Sequence, residues 1–164
     1  MRNDSCVPVT VISVRPFHDG DEAAFRRLNE EWIEKHFGME EKDRLTLNDP
    51  AGQILKPGGQ ILIAVAECGP VGCCALVPTG AGAFEIAKMA VAENYRGQGV
   101  GRKILDYAIA QARAWGANRL YLETNSRLAN AIHLYESVGF RHIPPERVTP
   151  SPYARADVFM EMLL

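Results

Sequence analysis

Three glycines at alternate positions, Gly97, Gly99 and Gly101, place the strongest constraint on this chain. They follow a strand-like stretch that ends at Val91 and lead into an amphipathic helical pattern. Glycine permits positive φ and lets a ligand approach the main chain closely. The unpaired N–H groups of a helix's first turn, together with the helix dipole, favour an anion such as phosphate. The stretch therefore predicts a phosphate-binding loop between a strand and a helix.

The spacing of the glycines indicates which phosphate ligand the loop suits. A Walker loop ends in Gly-Lys-Ser/Thr after four intervening residues, and the chain has no such run. A dinucleotide fingerprint needs Gly-x-Gly-x-x-Gly, but its third glycine would fall on Arg102 or Ile104. The pattern that fits is Arg-x-x-Gly-x-Gly, from Arg96 to Gly101. After a strand, this pattern resembles the acyl-CoA pyrophosphate loop of the GNAT superfamily of N-acetyltransferases.

A second motif lies farther along the chain. Residues 130–140 read Asn-Ala-Ile-His-Leu-Tyr-Glu-Ser-Val-Gly-Phe, which is similar to the second GNAT signature. The Lys-Met-Ala-Val run that ends at Val91 also resembles the family's strand before the loop. These matches cover residues 83–143, whereas residues 9–82 agree only in the order of their elements. On these motifs, the chain is identified as a member of the GNAT superfamily.

Composition and charge narrow the classes of protein further. The chain has 164 residues, 47% hydrophobic and 23% charged, which fits one domain over residues 1–164 with a sizeable core. Residues 1–8 are predicted to be loose. A formal net charge of -2 gives no reason to expect a nucleic-acid partner. No apolar run approaches the roughly 20 residues that cross a bilayer, and no signal-peptide pattern is present, so we expect a cytoplasmic protein without membrane contact.

The four cysteines, Cys6, Cys68, Cys73 and Cys74, form neither a disulfide framework nor a zinc-binding pattern. We expect reduced thiols that behave as small buried hydrophobes. If Cys73 and Cys74 lie in a strand, they point to opposite faces of the sheet.

Apolar periodicity and turn residues predict the element order β-α-α-β-β-β-α-β-α-β-β. Strands over residues 60–67, 71–77 and 83–91 on short turns indicate an antiparallel meander. A helix over 99–115 followed by a strand over 119–124 indicates a crossover between parallel strands. The expected fold class is α/β (α+β), with a single mixed, mostly antiparallel central sheet flanked by about four helices. The GNAT resemblance implies that this sheet is splayed at its parallel strand pair.

The resemblance implies acetyl-CoA as the co-substrate and no metal. In the GNAT fold, the sheet opens beside the strand that ends at Val91, and pantetheine pairs with the main chain that is freed there. The pyrophosphate would bind the N–H groups of residues 97–102, because a nest of fixed donors suits a multiply charged anion. The residues expected to bind the cofactor are Met89, Ala90, Val91, Arg96, Gly97, Gln98, Gly99, Val100, Gly101, Arg102, Asn125, Asn130 and Tyr135.

Direct acyl transfer requires a deprotonated amine, a stabilised oxyanion and a protonated leaving thiolate. By resemblance, Tyr135 is the acid for the sulfur and the Val91 N–H is the oxyanion donor. Glu85 matches the position of the glutamate in histone-acetylating members and is the candidate base, with Glu123 or water as alternatives. Alternation along the strand predicts one shared face for Glu85, Ala87, Met89 and Val91.

No motif specifies the acceptor, which is expected to be a primary amine of a small molecule or peptide. Glu123 could bind a cationic acceptor. Tyr153 and Arg155, beside the proline-bordered loop before the last strand, are the other candidate substrate-binding residues. An arginine there would favour an acceptor with a carboxylate. The oligomeric state is left open, with a homodimer as the state that the resemblance suggests.

Two other classes of function are compatible with a phosphate-binding loop. A catalytically inactive regulatory module would bind acyl-CoA as a signal and contact a partner protein. Glu85 and Tyr135 favour the enzyme over this module. A nucleotide-phosphate binder such as a small kinase is opposed by the missing Walker lysine and by the lack of an obvious metal-binding carboxylate pair.

Overall fold

One sheet runs through residues 11–164, the part of the chain that the computed structural model describes. The sequence also predicts a first strand over residues 9–16; its start at Val9, like the expectations for residues 1–8 and for Cys6, concerns positions outside this range. The strands are Ser13–Pro16 (β1), Gln60–Ala66 (β2), Gly69–Gly80 (β3), Ala83–Val91 (β4), Arg119–Thr124 (β5), Arg141–His142 (β6) and Val158–Leu163 (β7). They lie side by side in the order β1-β2-β3-β4-β5-β7-β6.

Four α-helices flank the sheet in the described region: Glu22–His36 (α1), Glu41–Asn48 (α2), Val100–Ala114 (α3) and Ala129–Val138 (α4). Shorter helical segments are Ala51–Leu55, which is a π-helix, and the 3-10 turns Glu93–Tyr95 and Pro145–Arg147. The order of strands and α-helices is the predicted one, and the mixed sheet confirms the expected fold class. No helix within residues 11–164 is both long and apolar enough to cross a membrane.

The apolar stripe of α3 anchors this helix on the sheet. Ile104, Leu105 and Ala108 are completely buried in one core with side chains of β2 and β3, as the helical spacing predicts. The helix ends before Gly116, whose φ of +75° is a conformation that glycine tolerates. Because α3 is anchored along its length, its first turn is held beside the end of β4.

Strands β4 and β5 are parallel and pair over only three positions. Ala83, Phe84 and Glu85 face Arg119, Leu120 and Tyr121 in the register. Beyond these positions, the described chain shows no pairing between β4 and β5, although β4 continues to Val91 and β5 to Thr124. The sheet therefore opens at this parallel pair, as expected.

A β-bulge in β4 changes which residues share a face. Cys73 on β3 pairs with Ala90, but Ala75 pairs with Ala87, so Lys88 and Met89 together oppose a single β3 residue. Lys88 has a φ of +52°, in the left-handed region. The extra residue reverses the alternation of side chains. The prediction of one shared face is therefore wrong: Met89 and Val91 join the core on the α3 side, whereas Glu85 and Ala87 face α1 and α2.

The sheet separates two apolar cores, one against α3 and α4 and the other beneath α1 and α2. Cys74 belongs to the first core and Cys73 to the second, which confirms their predicted opposite orientation. Burial raises the pKa of both thiols, that of Cys73 to about 12, so neither is a ready nucleophile. The expectation of burial is wrong for Cys68, which is exposed beside the β2–β3 turn.

Candidate functional site

A cavity of about 300 Å³ lies where β4 and β5 part. Its walls come from α1, from α2, from both diverging strands, from α4 and from the loop before β7. It brings together the predicted acid Tyr135, the predicted base Glu85 and the rival carboxylate Glu123. Other lining residues include Asn29, Trp32, Phe37, Lys42, Lys88, Met89, Asn125, Tyr153 and Arg155.

Glu85 and Glu123 project into the cavity from the two parallel strands. Glu85 is level with Tyr121 in the register, and Glu123 lies two residues farther along β5. Burial, with the negative charge of Glu123 as a second cause, raises the pKa of Glu85 to about 7, although Lys42 and Lys88 oppose this rise. A carboxyl group that titrates near neutral pH is suited to accept a proton during turnover.

Tyr135 lies on α4 on the opposite side of the cavity. The nearest polar partner of its hydroxyl is Met89, with 3.9 Å between Oη and Sδ. Its ring packs against Phe140 in an edge-on arrangement. Burial raises the pKa of Tyr135 to about 12, so the phenol stays protonated at neutral pH and is able to donate a proton.

The glycine loop presents main-chain donors at the start of α3. Gly97 and Gly99 have φ values of +75° and +78°, which turn the chain sharply into the helix. The Lys103 N–H bonds to the Gly99 carbonyl at 3.1 Å, so this is the first helical hydrogen bond. The N–H groups of residues 100–102 precede it and have no helical acceptor. This geometry is the one that an anion site of the predicted kind requires, and anion binding there stays a prediction.

The space around the glycines fits a phosphate group. A Cβ atom added at Gly97 or Gly99 would meet no described atom within 4 Å, so both positions are open to a ligand. A Cβ atom at Gly101 would lie 3.1 Å from side-chain atoms of both Leu134 and Met89. Gly101 is therefore needed for close packing of the loop, while the other two glycines leave room for the anion.

The end of β4 turns main-chain groups toward the gap. The Ala92 N–H bonds to the Val71 carbonyl on β3 at 2.8 Å. Because hydrogen-bonded and non-bonded pairs alternate in an antiparallel ladder, Val91 directs its N–H and carbonyl away from β3. Arg96 donates from Nε to the Val91 carbonyl at 3.2 Å and stacks over Trp32 at 4.6 Å from the ring centre. The Val91 N–H remains directed toward the gap.

A buried ion-pair network that the sequence did not predict forms one wall of the cavity. Asp43 on α2 is fully buried and accepts hydrogen bonds from Lys88 Nζ and from both Nη atoms of Arg155. Lys88 also donates to the Tyr153 hydroxyl at 2.9 Å. Burial alone would raise the pKa of Asp43, but the hydrogen bonds from Arg155 and Lys88 hold it far below its usual range. Asp43 is therefore ionised at neutral pH.

The remaining predicted residues occupy different parts of the site. Asn125 lines the cavity, and its amide ties two loops by donating to the Arg155 carbonyl at 2.7 Å and accepting from the Arg127 N–H at 2.8 Å. Asn130 is exposed near the start of α4. Arg102 is exposed and donates to Ser137 at 3.1 Å. Their roles in cofactor binding stay predictions, as do those of Tyr153 and Arg155 in substrate binding.

No group of three or more metal-binding side chains occurs in the region from Val11 to Leu164.

Comparisons with known proteins agree with this geometry. A sequence model of the acetyltransferase (GNAT) family matches residues 22–140. The ribosomal protein bS18-alanine N-acetyltransferase of Escherichia coli (strain K12) is 31% identical over 80% of this chain and 80% of its own length. N-acetyltransferase YjgM of the same strain, which is uncharacterized, is 46% identical, but the match spans only 36% of this chain and 35% of that relative.

A solved structure shows the same fold over nearly the whole chain. The crystal structure of an acetyltransferase of the GNAT family from Staphylococcus aureus MU50 superimposes with a TM-score of 0.84. It covers 93% of this chain and 99% of that chain at 21% identity. The family match over more than half of the chain, the 31% identical relative and this fold lead to one conclusion. The chain belongs to the GNAT family of acetyltransferases.

Proposed function

We propose that this enzyme transfers an acetyl group from acetyl-CoA directly to a primary amine of a small molecule or peptide, within a ternary complex. The observation that carries the proposal is the cavity that both Glu85 and Tyr135 line, beside the open edge of β4. A carboxyl with a pKa near neutrality and a protonated phenol are the two proton-transfer groups that this reaction needs.

The donor site rests on main-chain groups. The first-turn N–H groups of α3 would bind the pyrophosphate, with open approaches at Gly97 and Gly99. The freed main chain of β4 near Met89 and Val91 would pair with the pantetheine arm. Acetyl-CoA supplies an activated thioester carbonyl when it is bound there. Because the strands part beyond Glu85 and Tyr121, an extended ligand has space to enter between them.

The proton transfers in this scheme balance. Glu85, directly or through a water molecule, takes one proton from the acceptor ammonium, which leaves a neutral amine. The amine nitrogen attacks the thioester carbonyl carbon, and the Val91 N–H stabilises the negative oxygen that forms. The carbon–sulfur bond then breaks, and Tyr135 gives its proton to the sulfur. The second proton on the nitrogen returns to the tyrosine oxygen, so the products are an N-acetyl amine and the free thiol of CoA.

A thiol-release assay over a panel of primary amines tests the proposal. We expect acetyl-CoA to be consumed only when an amine is present, with one acetylated amine formed for each thiol released. Initial rates should give intersecting lines when both substrates are varied, because both are bound before transfer. Parallel lines would instead indicate an acetyl-enzyme intermediate. Tight CoA binding with no turnover of any amine would favour the regulatory acyl-CoA-binding module.

A further inference from the structure

The positive charges that form one wall of the cavity are already paired. Asp43 neutralises Lys88, and it also binds Arg155 through two hydrogen bonds of 2.6 and 2.7 Å. The Arg155 Nη1 atom lies a further 3.2 Å from Glu40 Oε2. These two cations therefore have their nearest counterions within the protein, and the attraction between Lys88 and Glu85 opposes the effect of burial on the pKa of Glu85 without outweighing it.

Lys42 is the remaining lysine on the cavity wall, and it stands at the rim. It lies on the exposed side of α2, with its Nζ 5.4 Å from the centre of the Tyr153 ring. Lys88 and Arg155 are paired, so Lys42 is the one cation on the cavity wall near Glu85 and Glu123 without an ion pair among the described residues, and it is solvated. A solvated lysine compensates a buried carboxylate only weakly, because water screens the interaction.

One buried hydrogen-bond acceptor of the cavity has no donor among the described residues, and a second acceptor lies on the cavity wall. The Glu123 Oε2 atom is buried without a hydrogen-bond partner among the described residues. Asn29 is only 1% exposed, and its Nδ2 atom is fixed by the Phe25 carbonyl at 2.9 Å and by Cys73 Sγ at 3.4 Å. No side chain or main-chain group of residues 11–164 donates to its Oδ1 atom. A buried acceptor without a donor is costly, so the Glu123 Oε2 atom points to a ligand that donates hydrogen bonds.

The two carboxylates are separated by the length of a short aliphatic chain. Glu85 and Glu123 lie on the same face of adjacent parallel strands and are offset by two residues. In a paired ladder this offset would place their Cβ atoms roughly 8 Å apart, and the parting of the strands beyond Tyr121 adds to this distance. One carboxylate is thus available to take a proton from a reacting ammonium while the other holds a second positive group.

We propose that the acceptor is a diamine-type compound, an aliphatic amine with a second cationic nitrogen that binds Glu123 while the first nitrogen is acetylated beside Glu85. This inference rests on the proposed acetyl transfer and names the substrate class of the same site. The second ammonium supplies the donor that Glu123 lacks and offsets its buried charge. Asn29 Oδ1 is a further acceptor for N–H groups of the same compound.

The same charges disfavour an acceptor with a free carboxylate. Its negative group would face Glu123, and the guanidinium of Arg155 is already held by Asp43 and Glu40. This proposal therefore differs from the expectation that Arg155 recognises an acceptor carboxylate.

Three straight-chain amines with four carbon atoms each test the proposal: diaminobutane with an amine at each end, butylamine with a methyl group at the far end, and aminobutanoate with a carboxylate there. We expect kcat/KM to be at least about tenfold higher for diaminobutane than for butylamine, because one charge-assisted contact is worth this much. Aminobutanoate should be the poorest acceptor. In Glu123→Gln, the ratio of diaminobutane to butylamine should fall toward one. The control Glu31→Gln, at an exposed position of α1, should keep the wild-type ratio.

Calorimetry on CoA-saturated protein separates this inference from the proposed function. Tighter binding of diaminobutane than of butylamine, lost in Glu123→Gln, supports the diamine site even if no amine is turned over. Equal kcat/KM values for the two amines in an active enzyme would overturn the inference while leaving acetyl transfer intact. Equal binding in an inactive protein, or a preference that survives in Glu123→Gln, would overturn it as well.

Discussion

Lys88 on β4 donates a hydrogen bond to Asp43 on α2, with 2.5 Å between Nζ and Oδ1, although 45 residues separate them in sequence. The backbone of Lys88 is in the left-handed region at φ +52°, which costs a non-glycine residue roughly 1–2 kcal/mol. Its side chain is 6% exposed and that of Asp43 0%. The ion pair therefore stabilises the bulge that points Glu85 toward the acceptor cavity and Met89 toward the other face of the sheet.

Replacing Asp43 with asparagine should destabilise the protein strongly. The change leaves Lys88 and Arg155 without their buried counterion, which typically costs about 3–5 kcal/mol. We expect the melting temperature to fall by on the order of 10 °C, measured by calorimetry at pH 7. Asp106→Asn, at an exposed position of α3, is the matched control and should have the same melting temperature as the wild type.

The pH dependence of this difference checks its origin. The pKa of Asp43 is lowered in the folded protein, so its charge stabilises the fold above the ordinary pKa of 3.8 and is lost only as the pH falls through the lower folded value. The gap between wild type and Asp43→Asn should stay constant from about pH 5 to 8 and narrow in strong acid. A gap that disappears near neutral pH would contradict the ion-pair explanation.

Replacing Glu85 with glutamine should remove the acidic limb of the rate–pH profile. The pKa of Glu85 is about 7, so wild-type kcat/KM should decline as the pH falls below this value and the base becomes protonated. Glu85→Gln should be roughly a hundredfold slower above pH 7 because it lacks the base. The kcat/KM of this variant should not decline as the pH falls below 7, when it is measured with the same amine as for wild type.

Glu123→Gln distinguishes the two carboxylates as bases. The negative charge of Glu123 helps to raise the pKa of Glu85, so removing this charge should shift the acidic limb to lower pH. The limb should still be present in this variant. Loss of the limb in Glu123→Gln, with a normal limb in Glu85→Gln, would assign the base role to Glu123.

The sequence predicted those parts of the molecule that depend on local pattern. The stripe of Ile104, Leu105 and Ala108 identified α3, and the glycines from Gly97 to Gly101 identified the anion site, because both signals lie within one turn or one helix. The crossover rule then predicted the parallel pair at which the sheet opens.

Features that depend on contacts between distant segments were not predictable. The buried ion pair of Lys88 is one such feature, because no local pattern reveals that an extra residue reverses the alternation of β4 at this position. Asp43 lies in a short polar helix whose sequence resembles a solvated surface, and only tertiary packing shows that it is buried. The donor-free oxygen of Asn29 also becomes visible only when its neighbours in space are known.

Replacing Tyr135 with phenylalanine should affect the chemical step more than binding. The phenol is the proposed proton donor to sulfur, and loss of a general acid typically lowers the rate by about 10²–10⁴-fold. Because the hydrogen-bond partner of its hydroxyl among the described residues is Met89 Sδ, a weak acceptor at 3.9 Å, packing should be preserved, and CoA affinity should change by less than roughly threefold. Tyr107→Phe, on α3, is the matched control. An unaltered kcat in Tyr135→Phe would exclude Tyr135 from the mechanism.

Replacing Gly99 with glutamate should abolish CoA binding. The new side chain would bring a negative charge to the open side of the loop where the pyrophosphate is proposed to bind, and like charges about 4 Å apart near a surface repel by up to ~4 kcal/mol. We expect the calorimetric Kd to rise by on the order of a hundredfold or more.

Gly116→Glu is a close control for this variant. Gly116 follows the other end of the same helix and has a φ of +75°, against +78° at Gly99. A Cβ atom added at Gly116 also meets no described atom within 4 Å. The two variants carry the same backbone strain and the same charge, and the helix dipole disfavours the negative charge only at Gly116, so Gly99→Glu should lose no more stability than its control. Only Gly99→Glu should lose the coenzyme, and equal affinity in both variants would show that the first turn of α3 does not bind the diphosphate.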